Sequence, residues 1–90
     1  MKKICLHCFI TGHVQGVFFR RETRNKALEL QLTGWVRNLP DGRVETIICG
    51  EDAMLTLMKN WLWQGPPTAH VTDVVIQEIP WQEYNNFEVR

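Results

Sequence analysis

The sequence has no excess of charge, no long apolar run and no paired set of cysteines, and each lack removes a class of function. Ten Lys and Arg balance ten Asp and Glu, so the formal net charge is zero. Nucleic acids and anionic membrane surfaces reward a large positive excess, and neither is an expected partner. Any anion site must therefore be local. No apolar stretch approaches the roughly 20 residues that cross a bilayer. The opening Met1-Lys2-Lys3 and the run Ile4 to Ile10 have the outline of a secretory signal, but His7 interrupts the run and no small-residue cleavage site follows. A cytoplasmic protein without a membrane anchor is expected. Cys5, Cys8 and Cys49 are an odd set with no secretory context, which argues against a disulfide framework. Repeats, linkers and low-complexity segments are missing too. With 44% hydrophobic residues in 90, the chain supports one domain, 1–90, with one modest core.

What is present is a regular alternation of segment types. From Lys3 to Gly12, Ile4, Leu6, Cys8 and Ile10 fall on one side and Cys5, His7 and Phe9 on the other, the period of a strand. Gly12 to Phe19 is a glycine-punctuated loop, and Arg20 to Leu32 carries Thr23, Ala27, Leu28, Leu30 and Leu32 among charged residues, as an amphipathic helix would. Gly34 is expected to end that segment. Trp35 to Leu39, the turn Pro40-Asp41-Gly42 and Arg43 to Cys49 read as a hairpin. After Gly50-Glu51-Asp52, the residues Met54, Leu57, Met58, Trp61 and Leu62 recur at helical spacing until Gly65-Pro66-Pro67. Val71 to Ile79 and a short Phe87 to Arg90 segment read as strands. The order βαββαβ describes an α+β, ferredoxin-like sandwich: an antiparallel sheet, two helices on one face and a short C-terminal extra strand.

The chemistry concentrates where the first strand meets the first helix. Gly12-His13-Val14-Gln15-Gly16-Val17-Phe18-Phe19-Arg20 brings unpaired backbone N–H groups and the positive end of a helix dipole together, which makes an anion cradle. Gly16 lets the backbone approach a bound group, and Arg20 offers a forked, permanently charged partner for phosphate oxygens. On spacing alone, a tight strand-to-helix turn with a surface arginine reads the same.

The stretch from Gly12 to Arg20 resembles the first acylphosphatase signature, G-x-V-Q-G-V-x-[FM]-R, at every specified position. Gly34-Trp35-Val36-Arg37-Asn38, with Gly42, Val44 and Gly50 after it, is similar to the second signature at its full spacing. Gly65-Pro66, Ala69, Val71 and Phe87 also sit where members of that family carry them. The resemblance implies a ferredoxin-like fold in which Gln15, Gly16, Val17, Phe18, Phe19 and Arg20 bind phosphate while Asn38 positions the attacking water. It implies hydrolysis of acyl phosphates to a carboxylate and inorganic phosphate, with Arg20 and Asn38 as catalytic residues and no metal or other cofactor. The expected partners are therefore a small acyl phosphate and inorganic phosphate, and a monomer is expected. Phosphoryl transfer to water leaves the protein mainly positioning and charge stabilisation to supply, which such a site can do. The alternative is a noncatalytic module that binds an acyl or carbamoyl phosphate for a partner protein.

Other constellations carry less. His13 could serve as a base, with the substrate's own phosphate as the rival proton acceptor. Cys5-Leu6-His7-Cys8 has the C-x-x-C spacing, but residues three apart on a strand point to opposite faces and do not chelate. Cys5 and Cys49 would lie on neighbouring antiparallel strands, on the face away from the helices, and are candidate cross-strand disulfide partners. Pair geometry and redox compartment decide that bond, and cytosolic reduction makes free thiols the default. Arg21, Arg24, Arg37 and Arg43 read as a solvated face. The aromatic platform and basic surplus of an RNA-binding sheet are missing.

Overall fold

The computed structural model describes residues 2–90, so the expected 1–90 domain is described in all but Met1. The alternation in the first segment becomes strand β1 (Lys3–His13), which puts Leu6, Cys8 and Ile10 into the main core and Cys5 into a smaller cluster on the other face. The chain continues through α1 (Phe19–Glu29), β2 (Thr33–Asn38), β3 (Val44–Glu51), α2 (Asp52–Gln64), β4 (His70–Ile79) and β5 (Phe87–Val89). The strands form one sheet in the order β4-β1-β3-β2-β5, and the first four have the ferredoxin-like arrangement.

Both helices cover the same face. Ala27 of α1 and Leu55, Met58 and Leu62 of α2 are fully buried against Cys8, Ile10, Val36 and Ile48 of the sheet. Each of these larger side chains contributes on the order of 2 kcal/mol through burial. Leu57, expected on the apolar stripe of α2, is instead 48% exposed, and Leu55 takes the inward position. Leu55, Met58 and Leu62 recur at three and four residues and define the face that meets the sheet.

Three features differ from the sequence reading, two for local reasons and one from the topology. The first helix stops at Glu29 rather than Leu32, because Gln31 adopts φ 58 and the Leu32 N–H turns back to the Ala27 carbonyl at 2.8 Å. Leu32 then drops into the core, 2% exposed. Gly34 is not a helix stop but lies within β2, at φ 136, where a Cβ would stand 1.9 Å from the Ile47 carbonyl oxygen. That close approach of β2 to β3 admits only glycine. The sheet is also not wholly antiparallel, since β5 pairs in parallel with β2. β4 ends at the edge of the sheet opposite β5 but at the same end from which β2 starts, so the chain crosses beneath the sheet and must run up alongside β2. Its last residue thereby arrives at the end where the loop after β1 and the end of β2 meet.

On the other face, Trp35, Ile47, Cys5 and Cys49 form the second cluster, covered by Tyr84, whose hydroxyl accepts from Trp35 Nε1 at 3.2 Å. β1 and β3 bring Cys5 and Cys49 directly opposite each other. The structure pairs them as a disulfide, with Cα atoms 4.0 Å apart. The cross-strand register is the physical reason, because opposed residues on one face have adjacent side chains. Cys8 stays free on the helix side, and burial pushes its thiol up to about 12, which keeps it protonated and inert. Cys5 and Cys8 thus face opposite ways and make no chelating pair.

Candidate active site

The strand-to-helix loop closes a cavity of about 310 Å³ lined by Val14, Gly16, Phe18, Phe19, Arg20, Arg21, Asn38 and Val89. Arg20 and Asn38, which are 18 positions apart in sequence, meet here because β1 and β2 both end at this edge of the sheet. Their convergence follows from the topology rather than from local sequence.

The loop leaves several of its backbone N–H groups unpaired. No described acceptor takes the N–H groups of Gln15, Gly16, Val17 or Phe18, and those of Phe19 and Arg20 open α1, where helical N–H groups have no partner within the helix. Gly16 sits at φ 73, and a Cβ there would meet no atom within 4 Å. The absent side chain leaves the backbone open to a ligand rather than relieving a clash. Phe18 holds the αL region at φ 66 and ψ 19, uncommon for an aromatic residue, and its carbonyl accepts from the Glu22 N–H at 3.0 Å to start the helix. Thr68 Oγ1 donates to the Val17 carbonyl at 2.9 Å. In a trans peptide the next N–H points the opposite way, so this bond turns the Phe18 N–H away from Thr68.

Arg20 at the helix start supplies the one side-chain cation of the loop itself. Its Nη1 donates to the Arg90 carbonyl at 3.0 Å, and the Arg90 N–H donates to Val36 at 2.8 Å. The strap after β5 therefore steadies the guanidinium while most of its five donors stay free. Asn38 lines the same cavity; its Oδ1 is buried and accepts no hydrogen bond, and it is the one such buried side-chain atom among the described residues. A buried acceptor without a donor costs on the order of 1–3 kcal/mol, so such atoms mark places built to receive a ligand or a water.

Not every residue assigned to the cradle contributes as expected. The Gln15 side chain turns away from the cavity: Nε2 donates to the carbonyls of Leu39 at 2.8 Å and Arg43 at 2.9 Å. It ties the loop to the β2–β3 hairpin beside Asn38 and leaves only its backbone N–H to an anion. Val17 points into the core at 6% exposure, so it too offers only backbone. We expect Gln15→Leu to lower stability by about 2 kcal/mol for two lost hydrogen bonds, seen as a lower urea midpoint, and to lower kcat with it. An unchanged midpoint would dismiss the tie.

His13 is exposed at the end of β1, outside the cavity lining. Arg37 pairs with Glu45 at 2.6 Å and Arg43 with Asp41 at 2.9 Å, so both are engaged elsewhere. Burial opposes ionisation of Glu45, but hydrogen bonds from His7 and Arg37 outweigh it and hold the carboxyl below its ordinary range. Arg21 keeps the exposed position expected of it, with a side chain 65% accessible, and also borders the cavity, with its guanidinium carbon 4.4 Å from the centre of the Phe18 ring. Val89 and the Arg90 carbonyl were also unforeseen. They reach the site only because β5 runs parallel to β2, which no local pattern announces.

Comparison with known proteins identifies the family and matches the fold. A family profile described as Acylphosphatase matches residues 6–89. The chain is 51% identical over 86 residues to an acylphosphatase of Coxiella burnetii (strain Dugway 5J108-111), which covers 96% of this chain and 90% of the relative. It superposes on the structure of an acylphosphatase from Coxiella burnetii with a TM-score of 0.95 at 50% identity, covering 98% of this chain and 93% of the other. For the acylphosphatase from Bacillus subtilis, the TM-score is 0.93 at 32% identity, with 97% and 98% covered.

Proposed function

We propose, from the premise that this chain belongs to the acylphosphatase family, that the cavity between the β1–α1 loop and the end of β2 is where it hydrolyses acyl phosphates. The reaction class follows from membership: an acyl phosphate and water become a carboxylate and inorganic phosphate. How the residues perform it is our reading of the site.

The phosphoryl group rests on the N–H groups of the Gln15 to Arg20 segment and on the Arg20 fork, which together meet its charge as it spreads over the three equatorial oxygens. A water donates one hydrogen bond to Asn38 Oδ1 and turns a lone pair toward phosphorus. The new bond forms between water oxygen and phosphorus, and the bond from phosphorus to the acyl oxygen breaks. The acyl oxygen leaves with the electron pair as a carboxylate, a stable anion that needs no general acid. The water's proton passes to a phosphate oxygen, so no side-chain base is required and His13 has no role. The observation that carries this reading is that Asn38, whose Oδ1 has no protein partner, lines one cavity together with Gly16 and Arg20 of the cradle.

Because Arg20 and backbone N–H groups supply the charge on phosphate, we expect fast turnover of benzoyl phosphate to persist in excess EDTA. Loss of activity in EDTA, restored by a divalent cation, would refute the metal-independent scheme. No helix is long and apolar enough to cross a membrane among the described residues. We read the protein as a cytoplasmic monomer; the monomer reading is supported by exposed large apolar side chains spread over different elements rather than gathered in one patch.

A further inference from the structure

Thr68 is 51 positions from Val17 in sequence and outside the phosphate cavity, yet its hydroxyl grips the peptide between Val17 and Phe18, donating to the Val17 carbonyl at 2.9 Å. The corner that carries Thr68 is fixed. Pro67 and Thr68 are the central residues of a turn that the Ala69 N–H closes on the Pro66 carbonyl at 2.9 Å, and Pro66 is buried. Gly65, at φ 65, lies so near the Phe19 ring that a Cβ would stand 2.8 Å from Cε2. The corner is therefore packed against the residue that opens α1, which leaves the Thr68 hydroxyl little freedom to lose.

The peptide it grips is also the strained one. Phe18 holds φ 66, and turning the Val17–Phe18 peptide over would change only ψ of Val17 and φ of Phe18, carrying Phe18 to the negative φ that an L-residue prefers. By itself, then, Phe18 favours the turned-over peptide. That rearrangement would put a carbonyl where the cradle has a donor, and a carbonyl repels phosphate. Val17 and Thr68 border a neighbouring groove and do not line the phosphate cavity, while Phe18 lines both. With the carbonyl held on the groove side, the N–H of the same peptide points the other way.

We infer that Thr68 is a positioning residue: its hydroxyl keeps the Val17 carbonyl outward and the Phe18 N–H toward phosphate, against the preference of the Phe18 backbone. The inference rests on the reading of the cavity as a phosphate site, and it gives Thr68 no contact with substrate. The strain of an αL aromatic and the worth of one side-chain hydrogen bond are of similar size, so loss of the hydroxyl is enough to shift the balance.

The test is the dissociation constant of inorganic phosphate, read by calorimetry, with the Phe18 amide followed by NMR. Wild type and Thr68→Ser, which keeps the hydroxyl, should bind alike and show the Phe18 N–H moving downfield as phosphate is added. Thr68→Val, nearly the same shape without the donor, should bind phosphate about fivefold more weakly, with a smaller Phe18 shift and a similar fall in kcat/KM for benzoyl phosphate. The position is exposed, so neither variant empties the core and the thermal midpoint should hardly move. Glycine meets no penalty at positive φ, so in a Phe18→Gly background the same Thr68→Val change should weaken binding by less than about twofold. A purely structural role would give equal losses in both backgrounds and would overturn the inference. So would phosphate binding by Thr68→Val equal to wild type, or a Phe18 amide that phosphate leaves unmoved in wild type. Should Phe18→Gly not fold, Thr68→Ser and Thr68→Val decide alone. Phosphate binding is read directly, so failure of wild type to hydrolyse benzoyl phosphate would refute the hydrolytic reading separately, and the binding data would still decide the role of Thr68.

Discussion

Asn38→Ala is expected to hydrolyse benzoyl phosphate at least about 100-fold more slowly than wild type, while inorganic phosphate inhibits it with nearly unchanged affinity. The asymmetry follows from where the side chain sits. In the proposed site, phosphate rests on backbone N–H groups and Arg20, none of which Asn38 contacts among the described hydrogen bonds. The Oδ1 atom has no protein partner to lose, so alanine should not destabilise the fold through a broken hydrogen bond and removes an uncompensated buried acceptor. What disappears is the one group that aims the water. Removing one preorganised polar contact of this kind costs about 3 kcal/mol in the transition state. The loss should fall on kcat with KM little changed, the pattern of an interaction used only in the transition state. A variant with normal kcat would end the proposed role for Asn38, and one with weakened phosphate inhibition would move the residue into the cradle.

Much of this site could be read without coordinates because its two halves are local. The Gly12 to Arg20 loop and the Gly34 to Asn38 strand each occupy a few consecutive residues, and the βαββαβ order brings their ends together. What stayed illegible depends on contacts far apart in sequence. The Gln15 amide is spent on carbonyls 24 and 28 residues away, so its place in the loop pattern could not separate phosphate binding from bracing. The Arg20 tether lies 70 positions on, at the end of a strand whose direction is set by where β4 finishes. Gly34 misled for a different reason. Glycine commonly follows a helix, but here Gln31 had already taken the left-handed conformation that ends α1, and Gly34 was required by the Ile47 carbonyl. Arg21 is exposed as a helical projection reads it, and only its place at the cavity rim, beside a ring that the αL backbone of Phe18 holds outward, lay beyond that reading.

Arg20→Ala should lower kcat/KM for benzoyl phosphate by about 1,000-fold and weaken inhibition by inorganic phosphate by at least about tenfold, so that binding and turnover fail together. Arg20 is the cationic side chain closest in sequence to the cradle, and its charge acts on the ground state as well as on the more dispersed charge of the transition state. Arg20→Lys should recover only a small part of the loss. An ammonium keeps the charge but not the planar fork, and it cannot reproduce both the Arg90 tether and two-point contact with phosphate. Stability should hardly change, because the bond from Nη1 to the Arg90 carbonyl is solvent-exposed and such bonds contribute at most about 1 kcal/mol. A thermal midpoint near wild type would therefore separate lost chemistry from lost fold. If Arg20→Ala bound phosphate as wild type does, the backbone N–H groups alone would account for the cradle, and Arg20 would be confined to stabilising charge as the phosphorus–oxygen bonds rearrange.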